Sequence, residues 1–166
     1  MDTDLTINLQ ELAAIIKDAK AVAKRYRKLT GRPLGITGEV AEYEAAKALG
    51  LRLARVRQDG YDALRQRGAS ANRLQIKGRC IVDGGKRSQQ VPSINRKKEW
   101  DGVLLVLLDD EFEPMEIHEA DRLPIIETLA KPGSKARNER GAMAVSKFKS
   151  IGRRVWTRTA ESVGTS

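Results

Sequence analysis

A chain of 166 residues is long enough for one domain that buries roughly 70% of its unfolded surface; its single cysteine, Cys80, excludes a disulfide framework or paired-cysteine zinc site within the chain. The start, Met1-Asp2-Thr3-Asp4, carries acid where a secretory leader carries base. The longest apolar run, residues 103–108, falls far short of the ~20 that cross a bilayer, so a soluble, cytoplasmic protein with no membrane partner is expected. The 31 Lys and Arg against 22 Asp and Glu leave a net charge of +9, which draws polyanions, nucleic acid first among them.

Residues 8–29 have helical spacing, with Leu9, Leu12, Ala13, Ile16, Ala19, Ala23 and Tyr26 on one stripe. Lys24, Arg25, Arg27 and Lys28 suit the negative end of that helix, and Thr30-Gly31-Arg32-Pro33 stops it. A second helix is predicted over 38–49, capped by Thr37 and ended by Gly50. Its small residues Ala41, Ala45, Ala46 and Ala48 allow close packing on a sheet. Residues 51–56 form a short strand. Residues 62–64 and 73–81 flank a polar turn at 66–72, the pattern of a hairpin, and 83–86 marks a break. The Val/Leu run at 103–108 is the pattern of a strand covered on both faces, and 115–118 would pair with it after an acidic turn. A helix over 121–130 follows. Beyond a basic loop, Val145, Phe148, Ile151, Val155 and Trp156 recur with a helical period, predicting a last helix with Ser146 as its cap. The expected architecture is a single α/β domain, a mixed sheet flanked by helices. It has an N-terminal helix (8–29), a core over 37–130 and a basic C-terminal loop and helix over 131–158.

Three segments carry residue types suited to phosphodiester chemistry: Gly38-Glu39-Val40-Ala41-Glu42 on the second helix, Asp59-Gly60-Tyr61-Asp62 entering a strand, and Gln75-Ile76-Lys77 on the next. Alternation puts Gln75 and Lys77 on one strand face and turns Ile76 into the core, while the hairpin brings Asp62 beside them. Mg²⁺ wants an oxygen shell that includes one or two carboxylates. Asp62 offers a charged oxygen, Gln75 an amide oxygen, the Ile76 carbonyl a third, and Glu42 or Glu39 a further carboxylate. Lys77 beside them can orient a water and offset charge building on a phosphate.

Gly60-Tyr61-Asp62, a hairpin and then Gln75-Ile76-Lys77 resemble the D…(D/E/Q)-x-K core of the PD-(D/E)XK nuclease superfamily. The upstream Gly38-x-x-x-Glu42 is similar to the helix-borne glutamate of Holliday-junction resolvases and related enzymes, and the Gln form is similar to the catalytic domain of Mrr-type restriction endonucleases. The resemblance covers about residues 37–108. It implies a restriction-endonuclease-like mixed central sheet flanked by helices, a Mg²⁺ or Mn²⁺ cofactor, and a metal-dependent DNA endonuclease. Residue by residue, it implies Asp62 as the metal-binding aspartate, Gln75 as second ligand, Lys77 as catalytic lysine and Glu42, with Glu39 behind it, as accessory glutamate. Two departures stand out: no proline precedes Asp62, and Gln75 replaces the commoner acid, which weakens the pull on a cation. The whole chain is also similar to a group of small bacterial proteins that share the Gly-Glu…Gln-Ile-Lys-Gly-Arg pattern and the Ser-Lys-Phe-Lys tail, a resemblance that supplies no function. Related nucleases often dimerise so that two sites cut two strands, which makes a homodimer an expectation. A catalytically inactive nucleic-acid-binding protein on the same fold is the alternative.

For binding phosphates, the candidates near the site are Arg79, Lys86 and Arg87, and those in the tail are Lys135, Arg137, Arg140, Lys147, Lys149, Arg153 and Arg154. Arg96-Lys97-Lys98 adds a further contact. Aromatics make up only 4% of the chain, which argues against a stacking platform for single strands and favours double-stranded or branched DNA. His118, the only histidine, shares a strand face with Glu116 and is expected to be exposed. Glu116, Glu119 and Asp121 form an acidic patch expected to face away from a polyanion.

Overall fold

The computed structural model describes residues 7–55, 60–81, 89–132 and 141–160. Among the described residues it is a mixed α/β arrangement of a six-stranded sheet and four helices. Helix α1 (Leu9–Thr30) begins where Asn8 Oδ1 accepts the Gln10 amide at 2.9 Å and ends at Gly31, φ 70°. Helix α2 (Thr37–Leu49) ends at Gly50, φ 64°, as its sequence predicts. Its start differs from the expectation. Ile36 is the flanking residue and no side chain caps the helix; Thr37 is already helical, its hydroxyl 4.0 Å from Cys80 Sγ.

The strands are β1 (Arg52–Leu53), β2 (Ala63–Arg67), β3 (Ser70–Cys80), β4 (Gln90–Val91), β5 (Gly102–Leu108), β6 (Pro114–Asp121), β7 (Met143–Ala144) and β8 (Arg153–Thr157), with α3 (Arg122–Ala130) after β6 and α4 (Val145–Ile151) after β7. The sheet order is β1-β2-β3-β5-β6-β8; only β3 and β5 run parallel, with Gln75 beside Val103 and Lys77 beside Leu105. Strands β4 and β7 form a separate two-stranded ladder.

The β2–β3 hairpin is longer than its polarity suggests. Pairing continues to Arg67 and Ser70, so the turn is two residues, with Gly68 supplying the positive φ of 60° that a tight hairpin requires. The polar residues 66–72 sit mainly in a solvent-facing ladder rather than a loop. Strand β5 is buried along its whole length. Leu104, Val106 and Leu108 pack into the core under α1 and α2, whereas Val103, Leu105 and Leu107 pack with α3, α4 and Trp100.

The C-terminus corrects the sequence expectation. The last helix stops at Ile151, and Arg153–Thr157 forms an edge strand antiparallel to β6, with Trp156 opposite Ile117. Gly152 is the break: a Cβ there would lie 2.5 Å from the Glu119 carbonyl oxygen, so only glycine lets the chain turn back onto β6. Val155 and Trp156 continued the helical spacing by coincidence, and both suit a strand. Ser146 lies inside α4, behind an N-terminal flank at Ala144 with no side-chain cap.

A buried ion cluster ties these layers together. Lys20 Nζ on α1 donates to Glu44 Oε1 on α2 at 2.7 Å and to Glu113 Oε1, in the β5–β6 connection, at 3.1 Å. In the same connection Phe112 is buried at φ 64°, with the Arg27 guanidinium 5.2 Å from its ring centre.

Candidate active site

The site is built where two strands part. Pairing of β2 with β3 ends at Ala63 and Leu74. Just beyond, the Asp62 amide still donates to the Leu74 carbonyl at 2.8 Å, but the Ile76 amide donates to Asp62 Oδ2 at 2.7 Å. A side-chain carboxylate thus takes over a donor that a continuing strand would have satisfied. The Leu74 carbonyl faces β2 while the Arg73 carbonyl accepts from Asp101 on the β5 side, so by alternation the Ile76 carbonyl also faces Asp62. Gly60 sets this turn. Its φ is 113°, and a Cβ would meet Lys98 Cβ at 2.9 Å and the Glu99 amide nitrogen at 3.0 Å.

Helix α2 reaches the same place because β3 carries a glycine beneath it. A Cβ on Gly78 would lie 2.6 Å from Ala41 Cβ and 2.8 Å from the Thr37 carbonyl oxygen. That close approach brings the first turns of α2 over the strand edge. The result is a groove of ≈ 560 Å³ whose walls include Glu42, Asp62, Ile76, Lys77 and Arg79, with Arg27 entering from α1. Burial, then the neighbouring Asp62 and Glu39 carboxylates, push the Glu42 carboxyl up to about 7; the Lys77 ammonium opposes them. Arg79 Nε donates to the Gln90 carbonyl at 2.8 Å, which fixes its guanidinium beside the groove. Cys80 also lines the groove, and burial raises its thiol pKa, as for an inert cysteine.

The other expected ligands fare differently. Gln75 is 5% exposed and does not line the groove, although its Oε1 is buried without a hydrogen-bond partner among the described residues. Glu39 is exposed on the first turn of α2 and is also absent from the lining. Among the described residues no three His, Cys, Asp or Glu side chains cluster as a metal-binding group. The donors that converge are therefore two carboxylates and a main-chain carbonyl, with an unpartnered amide oxygen on the same strand. Two carboxylates on one groove are oxygens of the kind a hard divalent cation takes, so Asp62, Glu42 and the Ile76 carbonyl have donor chemistry that fits Mg²⁺, while the Gln75 oxygen lies off the groove.

Three cations of the basic tail carry ion pairs. Lys149 lies 3.2 Å from Glu116, Arg154 3.5 Å from Glu116, and Arg153 3.0 Å from Glu119 and 3.6 Å from Asp121. Arg65 adds a two-pronged pair to Glu119, both contacts 2.9 Å. Lys149, Arg153 and Arg154 thus lie against the acidic patch because β8 docks on β6, an adjacency that the helical expectation hid. Lys147 is exposed on α4. Lys86, Arg87, Lys135, Arg137 and Arg140 lie outside the described residues, as does Asp59. His118, expected at the surface, is 6% exposed, its Nε2 2.7 Å from Glu116 Oε2. Strand β6 is covered by α4 on that face, which buries it. At 96–98 the backbone is held by Arg122, which donates to the Arg96, Lys98 and Trp100 carbonyls and stacks 4.4 Å from the Trp100 ring centre. Arg27, which the sequence presents only as a charge suited to the end of α1, lines the groove as well, and its spacing in α1 gives no sign of that.

No protein-family model matches the sequence, and no curated protein matches it.

Proposed function

We propose that this protein is a metal-dependent DNA endonuclease on a restriction-endonuclease-like fold, working at the groove between α2 and the parting of β2 from β3. The observation that carries the reading is the fork itself. Asp62 is pinned by its 2.7 Å bond to the Ile76 amide, in a groove that Glu42 and Lys77 also line. Two carboxylates and a lysine around a strand edge, in a chain of net charge +9, suit a phosphodiester better than any neutral substrate. Mg²⁺ or Mn²⁺ would be held by Asp62, the Ile76 carbonyl and Glu42, and would supply Lewis-acid polarisation and a more acidic water. Lys77 offsets the charge that builds on the phosphate oxygens. Glu42 holds a water by accepting its hydrogen bond. Arg79 and Arg27 position the phosphate backbone at the mouth.

Gln75 withdrawn from the groove wall favours a second reading, a nucleic-acid-binding protein that keeps this scaffold without cutting. Supercoiled plasmid incubated with Mg²⁺ or Mn²⁺ separates the two. Nicking by wild type, lost in Asp62→Ala and in Lys77→Ala while gel retardation persists, supports the nuclease. Retardation without nicking by any of them supports the binding protein, and equal nicking by all three refutes the assignment of this site.

A further inference from the structure

Helix α1 has two apolar faces, and among the described residues only one is covered. Ile16, Lys20 and Ala23 are buried against the body, flanked by the partly buried Leu9, Leu12 and Ala13. About a third of a turn away, Ile15, Val22, Tyr26 and Leu29 stay 62%, 51%, 37% and 86% exposed. Four of the five exposed large hydrophobic residues of the described chain thus lie on one helix. Their spacings of seven, four and three residues make one continuous stripe about 21 Å long at the helical rise. Scattered exposed apolar residues are ordinary, but a stripe of this kind is the mark of a packing face.

Charge selects the occupant. Along the far edge of the stripe run Glu11, Asp18 and Arg25, acidic toward the N-terminus and basic toward the C-terminus, where Lys28 adds to the positive end. We propose that a second copy of this chain covers the stripe, its α1 packed antiparallel across a two-fold axis at Val22. In that register Val22 meets its own copy, Ile15 meets the partner's Leu29, and Asp18 falls within one residue of the level of the partner's Arg25, twice by symmetry. A parallel pairing would instead set Arg25 and Lys28 against their own copies, the repulsive arrangement. The same helix carries Arg27 to the groove, so the dimer joins two grooves through one rigid element. The pairing stands whether or not the groove cleaves DNA.

Sedimentation equilibrium of the full chain, from about 1 to about 200 µM, should show a mass approaching twice 18.4 kDa. Val22→Glu, which places two carboxylates face to face on the axis, should return it to 18.4 kDa with unchanged circular dichroism. The charge swap tests the register. Asp18→Arg should weaken the dimer, and Asp18→Arg with Arg25→Asp should restore it. Oxidative cross-linking tests the direction: Val22→Cys should cross-link to itself, Ile15→Cys only when mixed with Leu29→Cys, and wild type with Cys80 alone not at all. A monomer at every concentration overturns the proposal. So does a dimer unaffected by Val22→Glu, a double swap that fails to restore association, or Ile15→Cys linking to itself.

Discussion

Replacing Glu42 by Gln should stabilise the protein above neutral pH and leave it nearly unchanged in acid. Unfolded, this carboxyl ionises near its ordinary 4.5; folded, burial and the Asp62 and Glu39 charges raise it to about 7. The native state therefore holds the proton across a window in which the unfolded chain has lost it. Stability falls as pH rises through that window and levels off above about 7. A difference of that size corresponds to at most ~3.4 kcal/mol. Solvent at the half-buried carboxyl reduces the expected penalty to about 1–2 kcal/mol. For a chain of this length that is a melting shift of roughly 3–6 °C. Thermal unfolding followed by circular dichroism, between about pH 4 and about pH 8.5, compares the two proteins on both sides of the window. The curves of Tm against pH should meet at the acid end and separate at the alkaline end, with Glu42→Gln higher. Mg²⁺ should close the gap by raising the wild type more than the variant, since a cation removes the same repulsion. Curves that stay parallel would refute the reasoning, because they would mean that Glu42 titrates alike in both states.

Lys20→Met should destabilise by about 3–5 kcal/mol by leaving Glu44 buried without its partner, and adding Glu44→Leu should recover much of the loss; denaturant melts measure both. Gly78→Ala forces α2 away from β3 to relieve the 2.6 Å approach to Ala41 Cβ, and should lower stability by about 1–3 kcal/mol. An unchanged midpoint would mean that the helix yields freely there. Arg79→Ala should weaken duplex binding and reduce the slope of log K against log salt by about 1, whereas Arg153→Ala with Arg154→Ala should leave that slope close to wild type. Equal slopes for both variants in a salt titration would show that the tail, not the groove, meets the phosphates.

Local signals made much of the scaffold legible. The stripe in α1, the glycine exits at Gly31 and Gly50, and the unbroken Val/Leu run of β5 each state one element through its own residues. The site was half legible for the same reason. Asp62 and Lys77 stand on a hairpin whose two strands are close in sequence, and Glu42 sits at a helix start that the spacing placed within a residue. What stayed hidden depends on contacts between distant segments. Nothing near Lys20 announces Glu44 or Glu113. Nothing in the spacing of Val155 and Trp156 distinguishes an edge strand from another helical turn, since two adjacent apolar residues satisfy both periods. His118 was misplaced because its exposure is decided by α4, which lies far along the chain. Gln75 shares its face with Lys77 by alternation, as expected, but a shared face does not give both side chains the same access to the groove.

The net charge acquires a different meaning once its partners are known. On composition the excess is a uniform attraction for polyanions, with the tail as its centre. In the folded chain β8 and α4 bring Lys149, Arg153 and Arg154 onto Glu116, Glu119 and Asp121, and Arg65 onto Glu119, so each acid of that patch is met by base. Paired charges at short range produce little field beyond a Debye length. The positive field that a distant polyanion feels must then come from cations elsewhere. At the groove Lys77, Arg79 and Arg27 stand around an opening whose only described acids are Asp62 and Glu42. Those two acids are also the groups that a divalent cation would neutralise. If the proposed function holds, binding of metal and attraction of phosphate would be coupled through the same few side chains. On the proposed reading, a cation held by those two acids would leave Lys77, Arg79 and Arg27 unopposed, so metal would strengthen the pull of the groove on a phosphate backbone.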